Sequence, residues 1–203
     1  MYTPPAFRVD DPAWIHGFVE AHDFGLLVCA APLMVSHLPF HLLRGEGGAP
    51  DRLLCHLARA NPQWHAFREQ GAEALAVFRG PHAYVSTAWY GLHPSVPTWN
   101  YDTVQARGRA TLIEDTDAIA VQMRALAARY EPEQGFDMDA QPTRYMDGMF
   151  KALVGVSIEV TEWTAKRKQS QNRPLADRVA VAAQLDARGE HAAAAALREA
   201  NGL

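Results

Sequence analysis

Cysteine, lysine and long apolar runs are all scarce in this 203-residue chain, and each scarcity excludes something. The two cysteines, Cys29 and Cys55, both sit in apolar strand-like stretches. They are expected to be buried free thiols in a reducing compartment, not a disulfide framework. No apolar run approaches the roughly 18 residues of a membrane span. The start Met1-Tyr2-Thr3-Pro4-Pro5 has neither a basic nor an apolar segment of the secretory kind, so a cytoplasmic protein is expected. GxSxG, GxGxxG, the Walker pattern, HExxH and CxxC are missing too. A nucleophile elbow, a Rossmann dinucleotide site, a P-loop and a zinc centre are therefore not expected.

Positive charge is sparse and uneven. Lysine occurs 3 times against 16 arginines, and the formal net charge is −4. Residues 1–165 carry −7, residues 166–173 carry +4 and residues 174–203 carry −1. A protein that grips a nucleic-acid backbone needs a broad basic face. One eight-residue basic spot suits a small anion better.

Turn and cap signals divide the rest. Asp11-Pro12 pairs an N-cap with a first-turn proline and opens a helix to about Ala21. Short apolar runs at Phe24–Ala30, Met34–Leu43 and Leu53–Ala58 read as an antiparallel meander. Asn61-Pro62 repeats the cap and predicts a helix to about Gln70. Strands are expected at Ala74–Phe78 and Ala83–Trp89, parted by Gly80-Pro81, then at Val104–Ile113 and Leu153–Trp163. Helices are expected at Thr116–Tyr130 and Pro142–Phe150, with an Ala-rich pair, Ala176–Arg188 and Glu190–Ala200, hinged at Gly189. About seven strands without a βαβ rhythm predict a mainly β, α+β fold: an antiparallel barrel with inserted helices and a C-terminal helical pair.

Four stretches offer chemistry. His37 and His41 share a strand face but stand roughly 13 Å apart, too far to hold one metal. His37 also lies between Ser36 and Pro39, where the strand loses a ladder donor. In His56-Leu57-Ala58-Arg59-Ala60-Asn61-Pro62-Gln63-Trp64 a strand ends, an arginine follows and a helix begins. That combination can cradle a phosphate, although Asn61 can equally cap the helix over a solvated Arg59. Five aromatics fall between Tyr84 and Tyr101, a strand core or a stacking wall for a planar heterocycle. Finally, Lys166–Arg173 mixes charge with Gln169, Ser170, Gln171 and Asn172, giving several directed hydrogen bonds in one place.

These segments together resemble the PaiB family of FMN-binding proteins, described as negative transcriptional regulators. The resemblance rests on Ser36-His37-Leu38-Pro39, on His56 to Trp64, on Gly80-Pro81-His82-Ala83-Tyr84-Val85-Ser86, on Val96-Pro97-Thr98-Trp99-Asn100-Tyr101 and on Lys168-Gln169-Ser170-Gln171-Asn172-Arg173. The chain departs from the pattern at Thr87-Ala88, Gln105, Arg107 and Ala165. The resemblance implies an FMN-binding split barrel, homodimeric, with FMN at the subunit interface. It implies cofactor contacts from Ser36, His37, Leu38, Pro39, Arg59, Ala60, Asn61, Pro62, Trp64, Ser86, Trp99, Asn100, Lys168 and Ser170. Residues 1–165 would form the flavin-binding domain, and residues 166–203 a basic segment and helical hairpin packed on the barrel or the partner. Two function classes follow: a flavin-binding regulator, or a flavin-dependent oxidoreductase related to pyridoxamine 5′-phosphate oxidases. The helical pair carries net −1 and is mostly alanine on its second helix, so direct DNA contact through it is not expected.

Overall fold

A computed structural model describes residues 1–69, 71–131 and 135–203. The elements are β1 (Arg8–Val9), α1 (Pro12–Ala21), β2 (Phe24–Ala30), β3 (Leu33–Pro39), β4 (His41–Leu43), β5 (Arg52–Ala58), β6 (Ala72–Val85), β7 (Thr98–Ile113), α2 (Thr116–Tyr130), α3 (Thr143–Lys151), β8 (Leu153–Lys168), α4 (Leu175–Ala187) and α5 (His191–Asn201). The strands form one eight-stranded sheet in the order β3-β2-β6-β7-β8-β5-β4, with β1 added to β8. The fold is the expected antiparallel α+β architecture. Among the described residues, no helix is long and apolar enough to cross a membrane.

The local signals act as expected at most element ends. Asp11 accepts a hydrogen bond from Ala13 N and Asp115 accepts one from Ala118 N, which caps α1 and α2. Each cap contributes about 1 kcal/mol. Both cysteines are buried and free, and burial pushes the Cys55 thiol far above its ordinary pKa.

Five expectations are corrected. The run Met34–Leu43 is two strands, because Phe40 turns inward, is almost fully buried, and donates its N–H to Asp23 O at 2.8 Å. Gly80-Pro81 does not break the chain: β6 runs straight through both. β2 pairs only with Leu75 to Val77 of β6, so Pro81 lies past that ladder and its missing N–H leaves no β2 acceptor unpaired. Gly80 serves packing instead, since a Cβ there would sit 2.8 Å from the Phe18 ring. The end of the predicted Ala83–Trp89 strand is a 3-10 turn over Thr87–Trp89, capped by Ser86. Asn61-Pro62 opens a 3-10 helix over Pro62–Phe67 in place of an α-helix; its predicted end at Gln70 lies outside the described residues. β7 begins at Thr98 and β8 ends at Lys168, so the first three residues of the basic segment belong to a strand.

The chain forms two compact units. The first comprises Met1–His22, Phe78–Gln105 and Thr164–Leu203. Its core joins Ala83, Val85 and Tyr90 to Val181, Leu185, Ala194 and Leu197 of the helical pair. Small alanines let α4 and α5 pack closely, which explains the composition of that stretch. The second unit comprises Asp23–Val77 and Ala106–Trp163. It buries Leu27, Leu53, Leu57, Val156 and Ile158, and a satellite cluster of Ile119, Ala120 and Phe150 lies under α2 and α3.

Candidate functional site

The residues singled out by sequence fall into two groups, one in each unit. In the second unit they are Ser36 to Pro39 on β3, Arg59 and Ala60 after β5, and Asn61, Pro62 and Trp64 at the 3-10 helix. Among the described residues β3 is an end strand of the sheet, so one edge carries backbone donors and acceptors without a ladder partner. Asn61 ties this edge to the helix start: its Nδ2 donates to Ser36 Oγ at 3.0 Å and its Oδ1 accepts from Gln63 N at 3.0 Å.

Arg59, two residues before Asn61, is an exposed cation. Its Nε donates to Lys151 O at 3.1 Å, its Nη2 to Leu153 O at 3.2 Å and its Nη1 to Glu114 at 3.2 Å. Trp64 braces it, donating Nε1–H to Arg59 O at 2.9 Å under the guanidinium, 5.7 Å from the ring centroid. Arg68 covers the same ring at 4.8 Å. Guanidinium carries five N–H donors; among the described residues these three bonds leave two for a ligand. The side chain is 39 % exposed, so an anion can reach it. Glu114 competes for the same group, and a bound phosphate would have to displace that carboxylate.

Sequence reading missed Gln63. It is fully buried, and its Nε2 donates to Leu27 O at 2.8 Å and Met34 O at 3.3 Å. It thereby pins the 3-10 helix to β2 and β3. A glutamine after Asn-Pro reads as a solvated helix residue, and only the tertiary fold reveals otherwise. His56 is also held inward, and burial lowers its pKa.

In the first unit the group is Ser86, Trp99, Asn100, Lys168 and Ser170. Ser86 is occupied as the cap of the 3-10 turn, accepting from Ala88 N. Asn100 and Ser170 are both buried and bonded to each other, with Asn100 Nδ2 to Ser170 Oγ at 3.0 Å. Ser170 holds φ of 64°, a left-handed conformation that a residue with a Cβ adopts only when its surroundings enforce it. Lys168 Nζ donates to Thr98 Oγ1 and to Trp99 O. Desolvation, helped by Lys166, lowers its pKa. Trp99 is half exposed and meets Tyr84 edge-on at 5.9 Å.

The rest of the basic segment is knitted in, not solvated. Gln169 is buried and donates to Asp102 at 2.9 Å, Gln171 donates to Arg167 O at 2.6 Å, and Arg173 lies 4.1 Å above the Tyr90 ring. Asp102 was missed, although alternation along β7 places it on the same face as Val104, Ala106 and Ala110. Burial raises its pKa to about 6, against the lowering effects of Gln169 and Arg167.

The pieces in the second unit fit FMN: a free strand edge and apolar surface suit a flat polar ring, and a guanidinium with unused donors suits a phosphate. Comparison with known proteins agrees. Residues 1–162 match the family described as "Putative FMN-binding domain". The chain is 34 % identical over 191 residues to protease synthase and sporulation protein PAI 2 of Bacillus subtilis, covering 91 % of this chain and 89 % of that one. Its fold is shared with the flavocytochrome Anf3 of Azotobacter vinelandii, with a TM-score of 0.59 and 16 % identity over 79 % of this chain and 69 % of the other. A FAD and heme binding protein of Mycobacterium smegmatis gives 0.58 and 16 %, covering 80 % and 74 %. The antiparallel split-barrel fold, the family match over most of the chain and a relative aligned over nearly its whole length lead to one assignment: this chain belongs to the PaiB family of FMN-binding domains.

Proposed function

We propose that the protein is a cytoplasmic FMN-binding regulator that acts as a homodimer through its flavin, not through a DNA-reading helix. The phosphate is assigned to Arg59 with Ala60, Asn61, Pro62 and Trp64, and the isoalloxazine ring to the β3 edge at Ser36, His37, Leu38 and Pro39. The observation that carries this reading is Arg59 itself, an accessible guanidinium with two donors to spare among the described residues, two positions before the Asn61 that bonds Ser36 of β3. When bound, FMN supplies the redox chemistry; this chain's residues orient it and neutralise its phosphate.

Two exposed apolar sets support the homodimer: Phe24, Leu33 and Val35 in one unit, and Tyr84, Val96 and Trp99 in the other. Surfaces of this kind favour association. The exposed Trp99 is assigned to the dimer seam, held from behind by Lys168 and by the buried Asn100–Ser170 pair. Direct DNA contact is disfavoured because α5 turns Ala193, Ala194, Ala196 and Leu197 into the core, leaving few side chains long enough to reach base edges.

The test is FMN titration of the wild type and Arg59→Ala. The variant is expected to bind FMN about 10- to 150-fold more weakly, the range for losing a charge-assisted hydrogen bond. Riboflavin, lacking the phosphate, should be nearly unaffected. Equal losses for both ligands would remove the phosphate assignment. Bleaching of the bound flavin by a nicotinamide cofactor would move the protein to the oxidoreductase class.

A further inference from the structure

A cleft of about 510 Å³ opens within the first unit, between α1 and α5. One wall is an aromatic ladder spaced four residues apart on α1. Trp14 stacks on Phe18 at 5.0 Å and 24°, and Phe18 meets His22 at 4.5 Å. The facing wall is Ala192, Ala195 and Ala196 of α5. The floor is Pro81, Asp102 and Arg167, with Glu199 at the rim. The volume lies within the range of small-molecule sites.

Two features distinguish the space. Gly17 lies mid-helix on the cleft wall, where glycine is a poor helix former. A Cβ there would meet nothing within 4 Å, so no packing contact demands the glycine. Asp102 is 3 % exposed, and an ionised carboxylate at that depth is unfavourable unless it meets a cation. Arg167 meets it incompletely. The nearest approach, Nε to Oδ2, is 3.6 Å, longer than a hydrogen bond.

The charges decide the ligand. Arg167 lies 5.3 Å over Trp14 and donates Nη2 to Ala196 O at 3.3 Å, with Glu199 at 3.0 Å. Its single positive charge therefore sits between two carboxylates. Counting His22 as neutral, the cleft carries one negative charge in excess. Aromatic faces on one side and a flat apolar wall on the other suit a planar or short apolar body. The aromatic faces also attract cations.

We infer that this cleft binds a small primary ammonium carrying an aromatic body, the ammonium directed to Asp102 and Glu199 and the ring placed between the α1 ladder and the α5 alanines. Arg167 and all of α5 lie beyond the residues that match the FMN-binding family. Trp14, Phe18 and Asp102 lie within that match, and none of the cleft's lining residues is a proposed flavin contact, so the inference does not depend on those contacts.

Calorimetric titration of the full chain with 2-phenylethylamine tests this, with 3-phenylpropionate and 2-phenylethanol as controls. The amine is expected to bind with a dissociation constant of about 10 µM to 1 mM, the range open to a ligand of that size. The carboxylate should give no saturable heat, and the alcohol should bind at least about tenfold more weakly than the amine. Gly17→Leu, which fills the cleft while improving helix propensity, should abolish amine binding; Ala195→Phe provides a second block from the opposite wall. Glu199→Gln should weaken the amine about three- to tenfold, through loss of a rim charge. The proposal is overturned if the carboxylate binds as well as the amine, if no amine binding is detected at millimolar concentration, or if folded Gly17→Leu and Ala195→Phe proteins bind the amine like the wild type.

Discussion

The two polar clusters differ in how they are satisfied, and the difference separates a site for an anion from a site of stored charge. Around Arg59 the polar groups are anchored mostly by neutral partners: two carbonyls for the guanidinium, a hydroxyl for Asn61, and two carbonyls for Gln63. Little charge is buried there and donors are left over. Around Asp102 a carboxylate is buried against Gln169 and Arg167, in a segment that also buries Lys166 and holds Ser170 in a left-handed conformation. That arrangement is unfavourable in itself, and its groups are held by their neighbours. The first cluster should respond to mutation through ligand affinity and local packing, and the second through pH and assembly.

The largest effect on folding should come from Gln63, on which the first cluster's geometry rests. Gln63→Ala removes both bonds to β2 and β3 and leaves two buried carbonyls without their donor. A loss of about 2–4 kcal/mol is expected, measurable by urea unfolding. FMN affinity should fall in the same protein, because Asn61 and the 3-10 helix lose their tether. A variant with unchanged stability would show that the cluster is held by something other than this side chain.

Asp102 should give the opposite sign. Its folded pKa of about 6 lies above the ordinary value of 3.8, so the native state holds this proton more tightly than the unfolded chain. The contribution therefore favours folding as pH falls through 6 toward 4, is fully present below that window and is lost as pH rises through 6. Above pH 6 the ionised carboxylate destabilises the fold by up to about 3 kcal/mol, a penalty that Gln169 and Arg167 offset only in part. Asp102→Asn should be more stable than wild type at pH 7, with the difference vanishing near pH 4. A pH-independent difference would mean that the carboxylate is not desolvated as its burial implies.

Assembly provides the next contrast. Lys168→Ala with Ser170→Ala removes the bonds to Thr98, Trp99 and Asn100. About a tenfold weaker homodimer is expected, measured by sedentation equilibrium of ultracentrifuged protein across a concentration series. Unchanged association together with lost, salt-sensitive DNA binding would instead assign the basic segment to a nucleic acid.

Much of this was legible in the chain, for reasons that differ by element. Asp11-Pro12 and Asp115 fix their helices through a cap bond made within three residues, so local sequence suffices. The Thr116–Tyr130 helix matches the expectation at both ends. Asn61-Pro62 announced a helix start, but its 3-10 form depends on Gln63 reaching into the sheet. Gly80-Pro81 misled because its use is tertiary: the glycine makes room for Phe18, and the proline passes beyond its neighbouring strand. The partners of the basic segment are equally tertiary. Lys166 is buried with its Nζ 5.1 Å from the Tyr101 ring centroid and bonded to Tyr2 O, partners 65 and more positions away in sequence.

The smallest expected effect is also the cleanest probe of the first unit. Gly17 is a mid-helix glycine with negative φ, and a Cβ there would enter empty space. Gly17→Ala therefore adds helix propensity without a clash, and a gain of about 0.5–1 kcal/mol is expected. Thermal unfolding should show a modest rise in midpoint. Alanine is too short to fill a cleft of about 510 Å³, so the cleft should stay open in this variant and close only with a larger side chain. A loss of stability would place unseen packing against α1 at this position. A gain would show that glycine is the less stable choice here, as expected where a wall is kept low for something other than folding.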